Sequence, residues 1–245
     1  MPAFQFQQFT VAHDRSTMRV GTDAVLLAAL ATESATVRQH TQRALDIGTG
    51  CGVVALIVAQ HCPHARIDAI DIDRDSVTEA ARNFNLSPFA NRLSAYESSV
   101  QDWQGKYDLI VSNPPFFNQS LPNPEARRAA ARHTRQLPYS DLLKAVQRLL
   151  TPDGTCCVIL PDSEAPTLLS LCANYDISLH RQHFVHPTPS SPALRRIMWL
   201  QHRGQCAAIE TIHTDLRLPP SASSVSSCSP WYLQLTADLY TGVPR

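Results

Sequence analysis

The stretch that most limits how this chain can fold is a strand, a glycine loop and a helix in direct succession. Ala44-Leu45-Asp46-Ile47 is a short apolar strand, Gly48-Thr49-Gly50-Cys51-Gly52 follows it, and Val53-Val54-Ala55-Leu56-Ile57-Val58-Ala59 reads as a helix packed on a sheet. Glycines let the backbone turn tightly and let a ligand approach with no Cβ in the way. The start of the following helix offers unpaired N–H groups and a partial positive charge. The next strand, Arg66-Ile67-Asp68-Ala69-Ile70, ends at Asp71, and a carboxylate at such a strand end can accept both hydroxyls of a ribose. From residue 43 onward strands and helices alternate, which predicts a parallel sheet with right-handed crossovers.

The loop does not suit a dinucleotide. That fingerprint, G-x-G-x-x-G, needs a glycine at the position held by Val53, and no phosphate-loop lysine is near. A nucleoside that carries an amino acid in place of a pyrophosphate fits better, which points to S-adenosyl-L-methionine. About sixty residues later the apolar run Tyr107-Asp108-Leu109-Ile110-Val111-Ser112 leads into Asn113-Pro114-Pro115-Phe116. Neither proline has an N–H for a ladder, so the strand must stop, and the prolines hold the backbone before them extended. The stiff turn presents one side-chain amide, the Pro114 carbonyl and one aromatic ring. Those groups suit a flat substrate with an amino nitrogen: two acceptors for its N–H bonds and a ring to stack on it. An ordinary proline-rich turn is the alternative.

In that order, the glycine loop, the strand-end acid and the Asn-Pro-Pro-Phe turn resemble the class I S-adenosylmethionine-dependent methyltransferases that act on planar amino nitrogens. The opening residues narrow the resemblance. Phe4-Gln5-Phe6-Gln7-Gln8-Phe9-Thr10-Val11, Asp14-Arg15 and Met18-Arg19-Val20-Gly21-Thr22-Asp23-Ala24-Val25-Leu26-Leu27 resemble the start of the bacterial tRNA-valine (adenine-N6)-methyltransferases, which modify the adenine 3′ of the anticodon. The match covers residues 4–160 and continues more loosely to residues 235–240. It implies a doubly wound, mostly parallel, seven-stranded α/β sheet with a C-terminal antiparallel hairpin. It also implies that Asn113 and Pro114 bind the amino group, that Phe116 stacks on the base and that Pro115 stiffens the turn. Gly48, Gly50 and Gly52 would admit the cofactor's methionine portion, with Asp46 either organising the loop or contacting its ammonium. Asp71 would hold the ribose, while Asp73 starts a helix. Ser99 and Val100 would line the adenine pocket of the cofactor, and Asn113 would contact the cofactor as well as the substrate. Gly21, Thr22 and Asp23 would close over it or cap a helix. The alternatives are a protein glutamine N-methyltransferase, another RNA or DNA adenine methyltransferase, and a non-catalytic RNA-binding module that keeps the fold.

Zero net charge argues against a chain coated in positive charge but leaves room for a local RNA-binding patch. The clearest local excess is Arg127, Arg128, Arg132, His133 and Arg135, close beyond the Asn-Pro-Pro-Phe turn, with Arg195-Arg196 a second pair. The first cluster is either a phosphate contact or a solvated helix face. Seven cysteines, an odd number with no C-x-x-C pair, predict free thiols in a reducing cytoplasm. The ten histidines lack metal-ligand spacing, so no metal is expected, although His180, His183 and His186 could align. There is no long apolar run or secretory pattern, so no membrane span is expected and a cytoplasmic location is.

The expected organisation is an N-terminal cap over residues 1–43, a methyltransferase domain over 44–213, a flexible Ser/Pro-rich connection over 214–230 and a C-terminal helix over 231–245. Helices are predicted over 23–32, 73–85, 139–150 and 164–175, and strands over 92–95, 107–112, 155–160, 177–185 and 194–202. Residues 121–138 are an excursion too long for an ordinary loop in such a sheet.

Overall fold

Side chains with two apolar faces drive the central strands inward. In a computed structural model, which describes residues 3–16, 19–114, 137–204, 208–218 and 227–242, they form one large sheet. The strands in chain order are β1 (Phe4–Gln5), β2 (Thr10–Val11), β3 (Arg43–Ile47), β4 (Arg66–Asp71), β5 (Leu93–Glu97), β6 (Tyr107–Ser112), β7 (Leu150–Pro161), β8 (Ile177–His186), β9 (Arg195–His202) and β10 (Glu210–Asp215). The helices are α1 (Thr22–Ala31), α2 (Ala35–His40), α3 (Val53–His61), α4 (Arg74–Asn85), α5 (Tyr139–Leu149), α6 (Ala165–Cys172) and α7 (Pro230–Leu235).

Among the described residues the large sheet has eight strands in the order β10-β8-β9-β7-β6-β3-β4-β5. The pairs β3/β4, β3/β6, β4/β5 and β6/β7 are parallel, and β9 runs antiparallel between β7 and β8. This is the expected doubly wound sheet with its antiparallel hairpin, plus one strand. The extra strand β10 pairs in parallel with β8 at the sheet edge. Its sequence, Glu-Thr-Ile-His-Thr-Asp, is too polar to read as a strand; an edge position that leaves much of it exposed removes the need for apolar alternation. The Thr151-Pro152-Asp153-Gly154 turn is also absorbed: β7 begins at Leu150, and a register shift opposite Tyr107 and Leu109 takes up the extra residues as a bulge. The short helix α2, with no buried residue, has no apolar period to announce it.

The two faces of the sheet carry separate cores. On one, α1 and α3 pack against each other and the sheet, and every residue of α1 from Ala24 to Ala31 is buried. A helix apolar all round needs cover on all sides. The β1–β2 hairpin and the C-terminal residues supply part of it: Phe6 is fully buried, with ring contacts to Phe4, Phe9 and Tyr240 at 4.9, 4.7 and 5.9 Å. The opposite face is covered by α5 and α6, whose Leu142, Leu143, Val146, Leu149 and Leu168 sit in the second core. No helix among the described residues is long and apolar enough to cross a membrane.

Candidate active site

Parallel pairing decides what lies next to what. Ile47 is level with Ile70 on one side and with Ser112 on the other, and Asp71 is level with Glu97. The residues that leave these strands therefore emerge side by side at the carboxyl edge of the sheet: Gly48, Asp71, the Ser98-Ser99-Val100 turn and Asn113. The Ser112 hydroxyl donates to the Ile47 carbonyl at 3.0 Å and locks the last residue of β6 to the last residue of β3. The carboxyl edge of such a sheet is where ligands bind.

The glycine loop folds back over the end of β4. The N–H groups of Gly48 and Thr49 both donate to the Ile70 carbonyl, at 2.9 and 3.1 Å. Gly48, Gly50 and Gly52 have φ of 74°, 54° and 83°, a left-handed region in which a side chain is strained. They differ in what surrounds them. A Cβ on Gly52 would lie 2.5 Å from Cε1 of Phe84, so this glycine serves packing against α4. Among the described residues a Cβ on Gly48 or Gly50 would meet nothing within 4 Å, so these two border space that those residues leave open.

Two carboxylates hold the loop in place, and a third caps the helix beyond it. Asp46 is buried beneath it and accepts the Thr49 hydroxyl at 2.7 Å; burial pushes its carboxyl up to about 7. Asp71 accepts the Gly50 N–H at 3.0 Å through one oxygen and the Asp73 N–H at 2.9 Å through the other. Burial raises its pKa as well, against the pull of those N–H groups. Each Asp71 oxygen retains a second lone pair for a ligand hydroxyl. Asp73 caps α4, accepting the Ser76 N–H at 2.9 Å and its hydroxyl at 2.7 Å.

Ser99 donates to Asp102 at 2.7 Å. Val100 is buried in the second core and its carbonyl accepts from Arg148 at 2.9 Å, so its side chain and carbonyl are both engaged. Asn113 is half-buried and Pro114 buried at the exit of β6. The side-chain oxygen of Asn113 is buried, with no hydrogen-bond partner among the described residues. Pro115 and Phe116 lie outside the described residues, as do Arg127, Arg128, Arg132, His133 and Arg135.

Gly21, Thr22 and Asp23 form the start of α1. Gly21 is its N-cap residue, Gly21 and Thr22 are exposed, and Asp23 pairs with Arg195 at 2.8 Å. The neighbouring Arg196 pairs with Asp162 at 2.6 Å, so this basic pair is neutralised by carboxylates rather than free for an anion. His183 is buried, with its pKa pushed down to about 4 by that burial, and contacts Thr214 at 2.7 Å, whereas His186 contacts the Ser191 carbonyl and His213 at 2.8 and 3.1 Å. An odd spacing along β8 sends these two rings to opposite faces. No group of three potential metal ligands occurs among the described residues. The described cysteines are buried, with free thiols at Cys51, Cys62, Cys156, Cys157 and Cys172, and burial raises the Cys51 thiol to about 11.

Sequence reasoning missed a clasp beside the loop. Glu79 on α4 accepts the N–H groups of Asp14, Arg15 and Ser16 at 2.9, 2.9 and 2.8 Å. Burial opposes its ionisation, but those contacts outweigh it and hold the carboxyl below its usual range. One turn on, Asn83 accepts the Ala12 N–H at 3.0 Å and donates to the carbonyls of Ala12 and Cys51 at 2.8 Å each. Asn83 thus ties the N-terminal segment to the glycine loop. Their i, i+4 spacing was visible, but their partners are backbone groups far away in sequence, which leave no mark on composition.

The description "methyltransferase small domain" matches residues 16–160. Curated relatives named tRNA1(Val) (adenine(37)-N6)-methyltransferase align closely. The one from Parabacteroides distasonis is 43% identical over 203 residues, covering 81% of this chain and 83% of its own. That from Aeromonas salmonicida is 47% identical over 178 residues, 71% and 72% of the two chains. That from Bacteroides fragilis is 36% identical over 244 residues and covers 98% of both. Among solved structures, the ribosomal protein L11 methylase of Lactobacillus delbrueckii subsp. bulgaricus superposes with a TM-score of 0.54 at 20% identity, over 76% of this chain and 81% of that one. TYW2 of Pyrococcus horikoshii, solved with MeSAdo, gives 0.57 at 13% identity, over 81% and 69%. These two share the fold. With relatives this similar along nearly its whole length, and with a glycine loop, a strand-end aspartate and Asn113 side by side at one sheet edge, the chain belongs to the tRNA1(Val) (adenine(37)-N6)-methyltransferase family.

Proposed function

We propose that this protein methylates the exocyclic N6 of adenine 37 in a valine tRNA, with S-adenosyl-L-methionine as donor, in the cytoplasm. The observation that carries the reading is the buried side-chain oxygen of Asn113, without a partner among the described residues, at the exit of the strand next to the glycine loop. A buried acceptor without a donor costs free energy that a substrate N–H can recover.

The residues present suit the donor. Open space over Gly48 and Gly50 admits its amino-acid portion, and the free lone pairs of Asp71 suit the two ribose hydroxyls. Asp46, buried under the loop and bonded to Thr49, acts as the organiser of the loop. When bound, S-adenosylmethionine supplies an electrophilic methyl group. The chain's task is to present a poor nucleophile, because the adenine amino nitrogen delocalises its lone pair into the ring. The Asn113 side-chain oxygen and the Pro114 carbonyl each accept one of its two N–H bonds, which returns electron density to nitrogen and fixes its direction. Phe116 stacks on the base. No strong general base is needed, since the nitrogen sheds a proton to water after transfer. Rate enhancement comes mainly from positioning, which supplies about 7–11 kcal/mol in favourable cases. The base must leave its stack to reach the site, at a cost of a few kcal/mol that is least in a loop.

The test is to incubate the protein with methyl-labelled cofactor and separate pools of tRNA, ribosomal RNA, DNA and protein. Label is expected in tRNA, and after nuclease digestion in N6-methyladenosine. Label confined to protein would mean a glutamine methyltransferase instead, and none in any pool would mean a non-catalytic module.

A further inference from the structure

A second hollow opens on the edge of the sheet that carries Asn113. Its volume is about 570 Å³, and it is lined by Phe4, Gln5, Thr22, Arg217, Tyr232 and Tyr240 among others. None of Gly48, Gly50, Asp71 or Asn113 borders it; of the residues assigned to the cofactor site, Gly21 and Thr22 at the start of α1 do. Its place follows from strand direction. Since β10 is parallel to β8, and β8 to β7 through the antiparallel β9, the residues just past β10 emerge on the same side as those just past β6. Leu216 and Arg217 are those residues, and both line the hollow. Four strand spacings separate β10 from β6, which amounts to roughly 20 Å along the edge.

Its chemistry is mixed in a particular way. Phe4 and Tyr240 are half-buried and in edge contact at 6.0 Å, so they show ring surface to the hollow. Arg217 is exposed, and Nη1 donates to the Ser227 hydroxyl at 2.6 Å. On β9, Arg195 and Arg196 are each held by a carboxylate; Arg217 has no carboxylate within ion-pair distance among the described residues. A guanidinium that is fixed in place but not neutralised suits a phosphate, and aromatic surface beside it suits a base of any sequence. The volume lies within the range of small-ligand sites.

We propose that this hollow holds a second nucleotide of the substrate RNA, a few positions from the target adenine, with its base laid against Phe4 and Tyr240 and its phosphate on Arg217. The inference rests on the reading of tRNA as substrate. It gives the enzyme two grips on one loop: the site at Asn113 takes the base to be methylated, and the hollow fixes how the loop lies along the edge.

The test uses the full chain and a tRNA stem-loop containing the target adenine. Arg217→Glu is expected to raise KM for the stem-loop about tenfold or more, with kcat and KM for S-adenosylmethionine unchanged within about twofold, and Arg217→Lys to restore part of the loss. A set of stem-loops, each with one abasic loop position other than the target, is then assayed with wild type and with Phe4→Ala. One abasic position is expected to raise KM about fivefold or more in the wild type and to cause no further loss in the variant. Should Phe4→Ala fail to fold by thermal melting, Phe4→Leu and Tyr240→Leu, which remove the ring but keep an apolar side chain, replace it. An unchanged KM in Arg217→Glu, or abasic losses that simply add to the Phe4 loss at every position, would overturn the proposal. Either result with labelled RNA leaves the methyltransferase reading intact; a wild type that labels no RNA removes that reading first.

Discussion

Asn113 holds a buried acceptor that nothing among the described residues satisfies. If that oxygen binds the target amine, Asn113→Ala should lower kcat for tRNA by about 100-fold or more, the size of losing one positioned polar contact at a reacting centre. The Kd for S-adenosylmethionine should stay within a few-fold of wild type; a variant that methylates as fast as wild type ends the proposed role. Asp46 makes a second prediction at this scale. Its carboxyl rises from 3.8 to about 7 through burial, so the folded protein holds a proton that the unfolded chain has released between those values. Stability from this group is therefore full below the ordinary carboxylate range and drains away as pH climbs to 7, by on the order of 4 kcal/mol. Asp46→Asn should flatten that slope in urea unfolding curves recorded from pH 4.5 to 7.5. A slope identical to wild type would assign the pH dependence to other groups.

At the level of elements, the glycine loop separates packing from binding. Gly52→Ala forces a Cβ against the Phe84 ring and into a left-handed φ, and should destabilise the fold by about 2–4 kcal/mol. Gly48→Ala bears only the left-handed φ and should cost about 1 kcal/mol of stability, yet weaken S-adenosylmethionine binding about tenfold or more, because the added methyl enters the space left for it. Calorimetric Kd and denaturant midpoints on both variants check the split, and equal effects on binding and stability would contradict it. The clasp on α4 is the other device at this scale. Glu79→Ala leaves three backbone donors without their carboxylate. It should raise protease sensitivity around residues 12–16 and, through Asn83 and Cys51, weaken cofactor binding; cleavage no faster than in wild type would show that other contacts hold the segment.

Across the whole molecule, the two ends of the chain close one core together. Gln7 N–H donates to the Leu239 carbonyl at 2.8 Å, the Gln7 side chain bonds the carbonyls of Ala237 and Tyr240 at 2.8 and 2.7 Å, and Gln60 reaches the Asp238 carbonyl at 2.8 Å. Leu239 itself is fully buried. Leu239→Ala should cost about 2–5 kcal/mol and loosen the β1–β2 hairpin along with the C-terminal segment. Hydrogen exchange should show residues 4–11 and 236–240 losing protection together, and loss confined to one of them would mean that the ends are held independently.

The sequence alone settled the periodic and the punctuated parts of this protein. Strand β6 runs over residues 107–112 as read, because an apolar run bounded by Asn-Pro-Pro can end in only one place. The glycine loop announced itself through three glycines at alternate positions between a strand and a helix, although only the structure divides them into Gly52 for packing and Gly48 and Gly50 beside open space among the described residues. Asp73 as a helix cap and Asp71 as the strand-end acid followed from position along the chain. What the sequence could not contain was pairing across space. The edge strand β10, the burial that shifts Asp46, the carboxylates that neutralise Arg195 and Arg196, and the backbone partners of Glu79 and Asn83 all depend on which segments meet. Local patterns fix how a segment folds; the electrostatic state of a side chain is fixed by neighbours that only the closed sheet brings to it.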